Sequence, residues 1–189
     1  RVRKGDVVVI HAAAGGVGLI AAQWARHLGA TVIGVVGSEA KAEFARGHGC
    51  HHTLILGRDD LPAMVRELTG GKGANVVYDS IGKDTFIASL DCLRPLGLMV
   101  SYGNASGPVP AFQPLELSRR GSLFLTRPTL FHSIARRVDL VRAARELFDV
   151  IGSGVVRIEI GQTYPLQDVA QAHRDLEGRR TVGSTVLIP

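Results

Sequence analysis

Four consecutive apolar residues, Val7-Val8-Val9-Ile10, run into a string of small residues, and apolar positions then recur three and four apart. The first pattern suits a strand covered on both faces. The second suits an amphipathic helix, with Val17, Ile20, Ala21, Trp24, Ala25 and Leu28 expected on its inner face and Gly29 as its stop. A β-branched run at residues 31–36 predicts a second strand and completes a β-α-β unit.

The alternation continues. A helix is expected over residues 38–46, broken by Gly47-His48-Gly49, then a strand over 53–56. Asp59 or Asp60 caps a helix that carries Pro62 in its first turn and runs through Leu68. A strand at 74–78, a helix to about Cys92 and a strand at 96–102 follow. Residues 108–121 read as proline-bearing and irregular, and 122–126 as an apolar edge strand open to pairing with a second copy. A helix over 132–151 would turn Ile134, Val138, Val141, Ala144, Phe148 and Ile151 inward, with Arg142–Glu146 and Arg145–Asp149 paired outside. After a break at 152–154 come a strand at 155–160, a helix at 167–176 and a closing strand at 184–188.

The fold class is therefore α/β, a Rossmann-type doubly wound parallel sheet with helices on both faces over residues 1–154. Residues 155–189 form an αβ tail too small to be a domain. That tail is expected to belong to a partner domain whose main part precedes residue 1, and the first residue is not Met.

Composition changes this picture little. The chain has 189 residues, 46% hydrophobic and 21% charged, enough for a sizeable core. No apolar run approaches the roughly 18 residues of a membrane span. The net charge of +5 is spread without a basic run and with 5% aromatic residues, which gives little support to a nucleic-acid surface; an anionic cofactor fits the basic balance just as well. Cys50 and Cys92 form no ligand spacing and read as thiols of a reducing compartment, so a cytoplasmic location is expected.

Candidate chemistry centres on the turn Ala12-Ala13-Ala14-Gly15-Gly16-Val17-Gly18, which aims backbone N–H groups and a helix N-terminus at one spot. Its spacing is that of the dinucleotide fingerprint, with Ala13 at the first glycine position and Gly15 and Gly18 at the others. The second strand ends in Val36-Gly37-Ser38-Glu39-Ala40-Lys41. With no acid at the strand end itself, Ser38 and Lys41 suit a ribose 2′-phosphate and hence NADPH. Glu39 reads as a first-turn helix acid or as a displaced ribose ligand. Asp79-Ser80-Ile81-Gly82 and Gly103-Asn104-Ala105-Ser106-Gly107 follow strands at their carboxyl ends, where ligands of doubly wound sheets bind. His11 reads as a packed strand-end histidine, and His51-His52 as exposed or capping, since adjacent side chains diverge. No metal set is expected, and no catalytic residue is assigned.

Lys4-Gly5-Asp6, the glycine turn, Val77-Tyr78-Asp79-Ser80-Ile81-Gly82, Tyr102-Gly103-Asn104, Thr126-Arg127-Pro128 and the ending Gly183-Ser184-Thr185-Val186-Leu187-Ile188-Pro189 resemble one family. It is the zinc-independent quinone oxidoreductases of the medium-chain dehydrogenase/reductase superfamily. The resemblance runs through the chain in order. It implies an NADPH:quinone oxidoreductase that transfers hydride to a quinone, with an upstream GroES-like domain and a homodimer formed through residues 122–126. It also implies that Gly15, Gly16 and Val17 hold the pyrophosphate, with Ala14 and Gly18 counted with them as cofactor-binding, and that Ser38, Lys41 and Arg179 hold the 2′-phosphate. Tyr102, Gly103, Asn104, Thr126 and Arg127 would lie along the nicotinamide side, and Asp79 and Ser80 are expected to face the cofactor from their place at a strand end. One departure is Leu56, where members often carry a tyrosine near the adenosine. The alternatives are an NADPH-dependent enoyl or enone reductase of the same superfamily and a non-enzymatic nucleotide- or RNA-binding protein. A methyltransferase would want an acid at the end of the second strand, against Val36-Gly37.

Overall fold

A computed structural model describes residues 2–189. Six parallel strands form one sheet: β1 (Val7–His11), β2 (Thr31–Val36), β3 (His52–Ile55), β4 (Ala74–Asp79), β5 (Leu93–Ser101) and β6 (Phe124–Thr126). Their order across the sheet is β3-β2-β1-β4-β5-β6, so the chain starts in the middle, winds outward to β3, and restarts at β4. The point of reversal lies between β1 and β4, which pair directly through Val8–Val76, Val9–Val77 and Ile10–Tyr78. A cleft opens at the carboxyl ends of strands at such a point.

Alternate residues of β1 serve two cores. Val8 and Ile10 pack with Ala22 and Ala25 of α1 (Gly16–His27) and with Ala42 and Ala45 of α2 (Glu39–Gly47). Val9 faces the other layer with Leu61 and Val65 of α3 (Leu61–Leu68) and Phe86 and Leu90 of α4 (Phe86–Asp91). Helices thus cover both faces, which is why the strands are apolar throughout.

The caps follow the sequence signals. Ser38 accepts from the Lys41 N–H at 3.4 Å and caps α2. Asp60 caps α3 by accepting from Ala63 N–H at 3.2 Å, with Pro62 in the first turn. Leu28 and Gly29, the latter at φ +82°, close α1. Three details of the inner elements differ. The buried face of α1 is Gly18, Leu19, Ala22 and Ala25, while Val17 is 65% and Leu28 44% exposed. The third strand starts at His52, because His51 is fixed by accepting from Val32 N–H through Nδ1 at 3.0 Å. The fifth starts at Leu93, which pairs with Ala74 ahead of a register shift.

The second half departs further. Residues expected to be irregular contain a short helix, α5 (Leu115–Arg119), bound by Glu116 to Arg119 and Arg120. The edge strand shrinks to Phe124–Thr126, since Ser122 takes φ +57°. The single helix expected over 132–151 is two: α6 (Leu130–Ser133) and α7 (Arg137–Gly152). No residue of α7 is buried, and Val138 and Phe148 are 61% and 66% exposed. Its Asp139 pairs with Arg136 and Arg142 in place of the expected Arg142–Glu146 and Arg145–Asp149 pairs. The strand expected at 155–160 is β7 (Ile160–Pro165), followed by a 3-10 turn (Leu166–Asp168), α8 (Val169–Glu177) and β8 (Ser184–Ile188). β7 and β8 pair parallel as a separate two-stranded sheet. Among the described residues no helix is long and apolar enough to cross a membrane.

Candidate functional site

The glycine turn sits at the reversal point of the sheet. Gly15 is the N-cap of α1 and offers no side chain to its N–H groups. Leu19 N–H is the first to find a helical acceptor, Gly15 C=O at 2.9 Å, so the N–H groups ahead of it in the first turn have no helical acceptor. No acid stands in the first turn of α1 to compete with an anion for them. Gly18 must be glycine: a Cβ there would strike the Ala12 carbonyl oxygen and lie 2.8 Å from Ala13 Cα. Ala13 is tolerated at the first fingerprint position because its methyl group sits over Gly34 of β2, where any Cβ would meet it at 2.9 Å.

A second wall comes from the far end of the chain. Gly183 N–H donates to Ala14 C=O at 2.8 Å, and Gly15 and Gly183 form a parallel bridge. A Cβ on Gly16 would lie 2.9 Å from Ser184 Oγ. The tail therefore flanks the pyrophosphate-sized turn directly.

At the end of β2, Lys41 Nζ donates to the Arg179 carbonyl at 2.6 Å. Partial burial, and then the Arg179 guanidinium, hold the Lys41 ammonium below the ordinary lysine range. Among the described residues neither cation has a carboxylate partner within 4.0 Å. Arg179 also takes a left-handed backbone, φ +56°. The Lys41 ammonium fixed on the Arg179 backbone, with the Arg179 guanidinium acting on it, makes a positive end near the Ser38 cap that suits an anion. Glu39 is turned away from it by Arg58 at 2.8 Å and Arg46 at 3.7 Å. Leu56 packs against the apolar core and leaves this edge of the site without an aromatic face.

Asp79 corrects the expectation that it faces a cofactor. It is 0% exposed. Its carboxylate accepts from Ile81 N–H (2.7 Å) and Gly82 N–H (3.0 Å), from Thr85 Oγ1–H (2.7 Å) and from Ser89 Oγ–H (2.8 Å). Ser89 spends its proton there, so His11 Nε2–H donates to Ser89 Oγ at 2.9 Å and His11 Nδ1 is left bare. This chain of bonds fixes the Ser80–Gly82 loop from below and spends every oxygen lone pair aimed at the cleft. Ser80 is left as the partly exposed member of the pair. Burial pushes the His11 imidazole down, opposed by Asp79. A histidine kept neutral in the fold but free to charge when unfolded draws stability away as pH falls. Melting temperature is therefore expected to drop further between pH 7 and pH 5 in the native protein than in His11→Gln, which thermal scans of the two at matched pH check.

The 79–82 and 101–107 loops close on each other. Tyr102 N–H donates to Asp79 C=O at 2.8 Å, and Ala105 N–H to Ser80 C=O at 3.1 Å. The approach is so close that a Cβ on Gly103 would overlap Ser80 backbone. Arg127, just beyond β6, reaches back with Nη1 to the carbonyls of Ser101 (3.0 Å) and Gly103 (2.9 Å). Thr126 and Asn104 are exposed beside it. The sequence reading does not contain the His11–Ser89–Asp79–Thr85 network; its one signal is Ser89, a polar residue inside the apolar run Phe86-Ile87-Ala88-Ser89-Leu90.

A glycine turn at the reversal point of a doubly wound sheet, with polar loops at the neighbouring strand ends, is the arrangement of a dinucleotide-binding α/β domain. Residues 16–150 match the family described as zinc-binding dehydrogenase, and the chain belongs to that family, within the medium-chain dehydrogenase/reductase superfamily. It is 53% identical over 190 residues to a 2-haloacrylate reductase of Burkholderia sp, covering 100% of the chain and 57% of that protein. It is 51% identical over 187 residues to a quinone oxidoreductase of Pseudomonas aeruginosa, covering 99% of the chain and 58% of that protein. The crystal structure of the Escherichia coli quinone oxidoreductase complexed with NADPH superposes with a TM-score of 0.96 at 47% identity, over 100% of this chain and 59% of that one. The chain thus spans less than two thirds of the length of these relatives.

The family description implies zinc. Among the described residues no three His, Cys, Asp or Glu side chains converge as a metal-holding group. Cys50 and Cys92 are buried, and burial pushes both thiols up to about 12. The residues present do not make a zinc centre, and no step is derived through one.

Proposed function

We propose that this chain is the NADPH-binding part of a cytoplasmic NADPH:quinone oxidoreductase that reduces quinones by hydride transfer without a metal. The observation that carries the reading is the Lys41 ammonium bound to the Arg179 backbone carbonyl, with the Arg179 guanidinium close enough to act on it and no carboxylate within 4.0 Å of either cation among the described residues. A ribose 2′-phosphate supplies the missing charge; a plain ribose does not. Relatives named quinone oxidoreductase support the acceptor.

In this reading the N–H groups of Gly16, Val17 and Gly18 hold the pyrophosphate, with Ala14 and Gly15 shaping the turn. Ser80, Tyr102, Gly103, Asn104, Thr126 and Arg127 line the nicotinamide end, and Asp79 acts beneath them as their support. Bound there, NADPH supplies the hydride. The chain's own part is to fix the ring against the acceptor and to keep water from it. Residues 155–189 belong with a substrate-binding domain that precedes residue 1, and two copies pair through the exposed edge at Phe124, which is 60% exposed.

A second reading has its own support. The relative at 53% identity is named for reduction of 2-haloacrylate, an electron-poor alkene, and that favours an activated-alkene reductase on the same cofactor half. Steady-state assays of the whole protein with NADPH separate the two. Turnover of a 1,4-quinone on the order of 10 s⁻¹ is expected. Turnover of 2-chloroacrylate alone selects the second reading, and NADPH oxidation with neither acceptor overturns both.

A further inference from the structure

We propose that His48 is a positioning residue for the cofactor turn, acting as a doubly protonated imidazolium that latches α2 to the tail segment flanking that turn. The proposal rests on the reading of the turn as an NADPH site. Both ring nitrogens of His48 face oxygen acceptors: Nδ1 lies 2.7 Å from the Phe44 carbonyl and Nε2 lies 3.0 Å from Glu159 Oε1. A carbonyl and a carboxylate have no proton to give, so both contacts are hydrogen bonds only when the ring carries two N–H groups. The neutral ring must leave one nitrogen lone pair facing an oxygen. The Phe44 ring, 4.3 Å away between centroids, holds the imidazole in this orientation.

What Glu159 holds is the cofactor turn itself. Its backbone carbonyl accepts from Ser184 N–H at 2.8 Å, and Gly183 lies against it too closely for any side chain. Gly183 in turn donates to Ala14 C=O and bridges to Gly15, and Ser184 Oγ abuts Gly16. The path from imidazole to phosphate turn is therefore one side chain and two backbone contacts. The segment has a second, uncharged anchor: Gln23 donates to Arg157 C=O and accepts from Arg157 N–H, each at 3.0 Å. Only the His48 anchor is made of ionisable groups. The titratable and charged groups around the ring are Glu159 and Arg157 on the segment, Arg26 and His27 on α1, and Arg46 on its own helix. Glu159 alone favours the imidazolium, and Arg46 is turned to Glu39.

The sign follows. Histidine changes charge between pH 5 and 8. The latch is complete where the ring carries both protons and Glu159 is a carboxylate, and it loses one of its two bonds where the ring is neutral. The test is amide hydrogen exchange at Gly183 and Ser184 in the whole protein without cofactor, at pH 6 and pH 8, corrected for the intrinsic pH dependence of exchange. About a fivefold loss of protection at pH 8 is expected, the size of one half-exposed ionic bond. His48→Phe keeps the stacking and loses both bonds, so it should show the low protection at both pH values. His48→Gln offers a single donor toward Glu159 and does not titrate, so it should show intermediate protection that is the same at both pH values. NADPH affinity of the native protein relative to His48→Gln should fall in parallel between pH 6 and pH 8. Protection in the native protein that does not change with pH, or that changes equally in His48→Phe, overturns the proposal. Protection that follows His48 while NADPH binds at neither pH leaves the latch standing and overturns the cofactor reading instead.

Discussion

Asp79→Ala is expected to cost about 4 kcal/mol of folding stability, the scale of removing one partner from a buried charged network. Nothing of Asp79 reaches solvent, and its two oxygens accept four hydrogen bonds. Alanine leaves the Ile81 and Gly82 N–H groups and the Thr85 and Ser89 hydroxyls facing a small cavity. Ser89 can donate to His11 only if the imidazole proton moves to the unpartnered Nδ1, and Thr85 can turn to the Gly82 carbonyl, but the two backbone N–H groups cannot move. In a chain of this length the melting temperature should fall by about 10 °C or more. Asp79→Asn separates charge from shape. Its amide oxygen can keep the two N–H bonds while its NH₂ group meets two hydroxyls able to accept, so it should lose less than half as much. Thermal or urea unfolding of the two variants decides it: equal losses would mean that the negative charge, not the pattern of acceptors, holds the loop.

Lys41→Ala should weaken NADPH binding by about 10- to 100-fold, the range for a hydrogen bond between charged groups. NADH binding should change little or improve slightly, because the substitution relieves the repulsion between Lys41 and Arg179. Ser38→Ala should have a smaller effect of the same sign, together with a modest loss of helix stability from the missing cap on α2. Isothermal titration of each variant with both cofactors reads these effects apart.

How far the sequence carries toward this picture depends on the distance over which each feature is decided. The turn from Val7 to Gly18 is legible because the change from a strand run to helical spacing is local, and the cap of α3 is legible, as Asp59 or Asp60, for the same reason. Ala13 shows the limit. Whether alanine fits the first fingerprint position depends on Gly34 in the next strand, and no spacing rule reports that. Asp79 stands where a ligand residue would stand, but the direction of its carboxylate is decided by Thr85 and Ser89 on the following turn. The meeting of Lys41 with Arg179 joins positions 138 residues apart and was reached through the family resemblance, not through pattern.

The tail was misread for a physical reason. Val155-Val156-Arg157-Ile158 has strand-like residues, but the Arg157 backbone is bound to Gln23, so strand pairing starts only at Ile160. The apolar stripe of α7 was real, and the error lay in assuming that this chain covers it. Periodicity reports that a helix has an apolar face; it does not report what that face meets.

The measurement that bears most directly on the central claim is a calorimetric titration of the protein with NADPH and with NADH at the same pH and salt. The account predicts NADPH binding at least tenfold tighter, with the difference erased in Lys41→Ala. Equal affinities, or a preference for NADH that survives in Lys41→Ala, would contradict it and return the role of ribose ligand to Glu39.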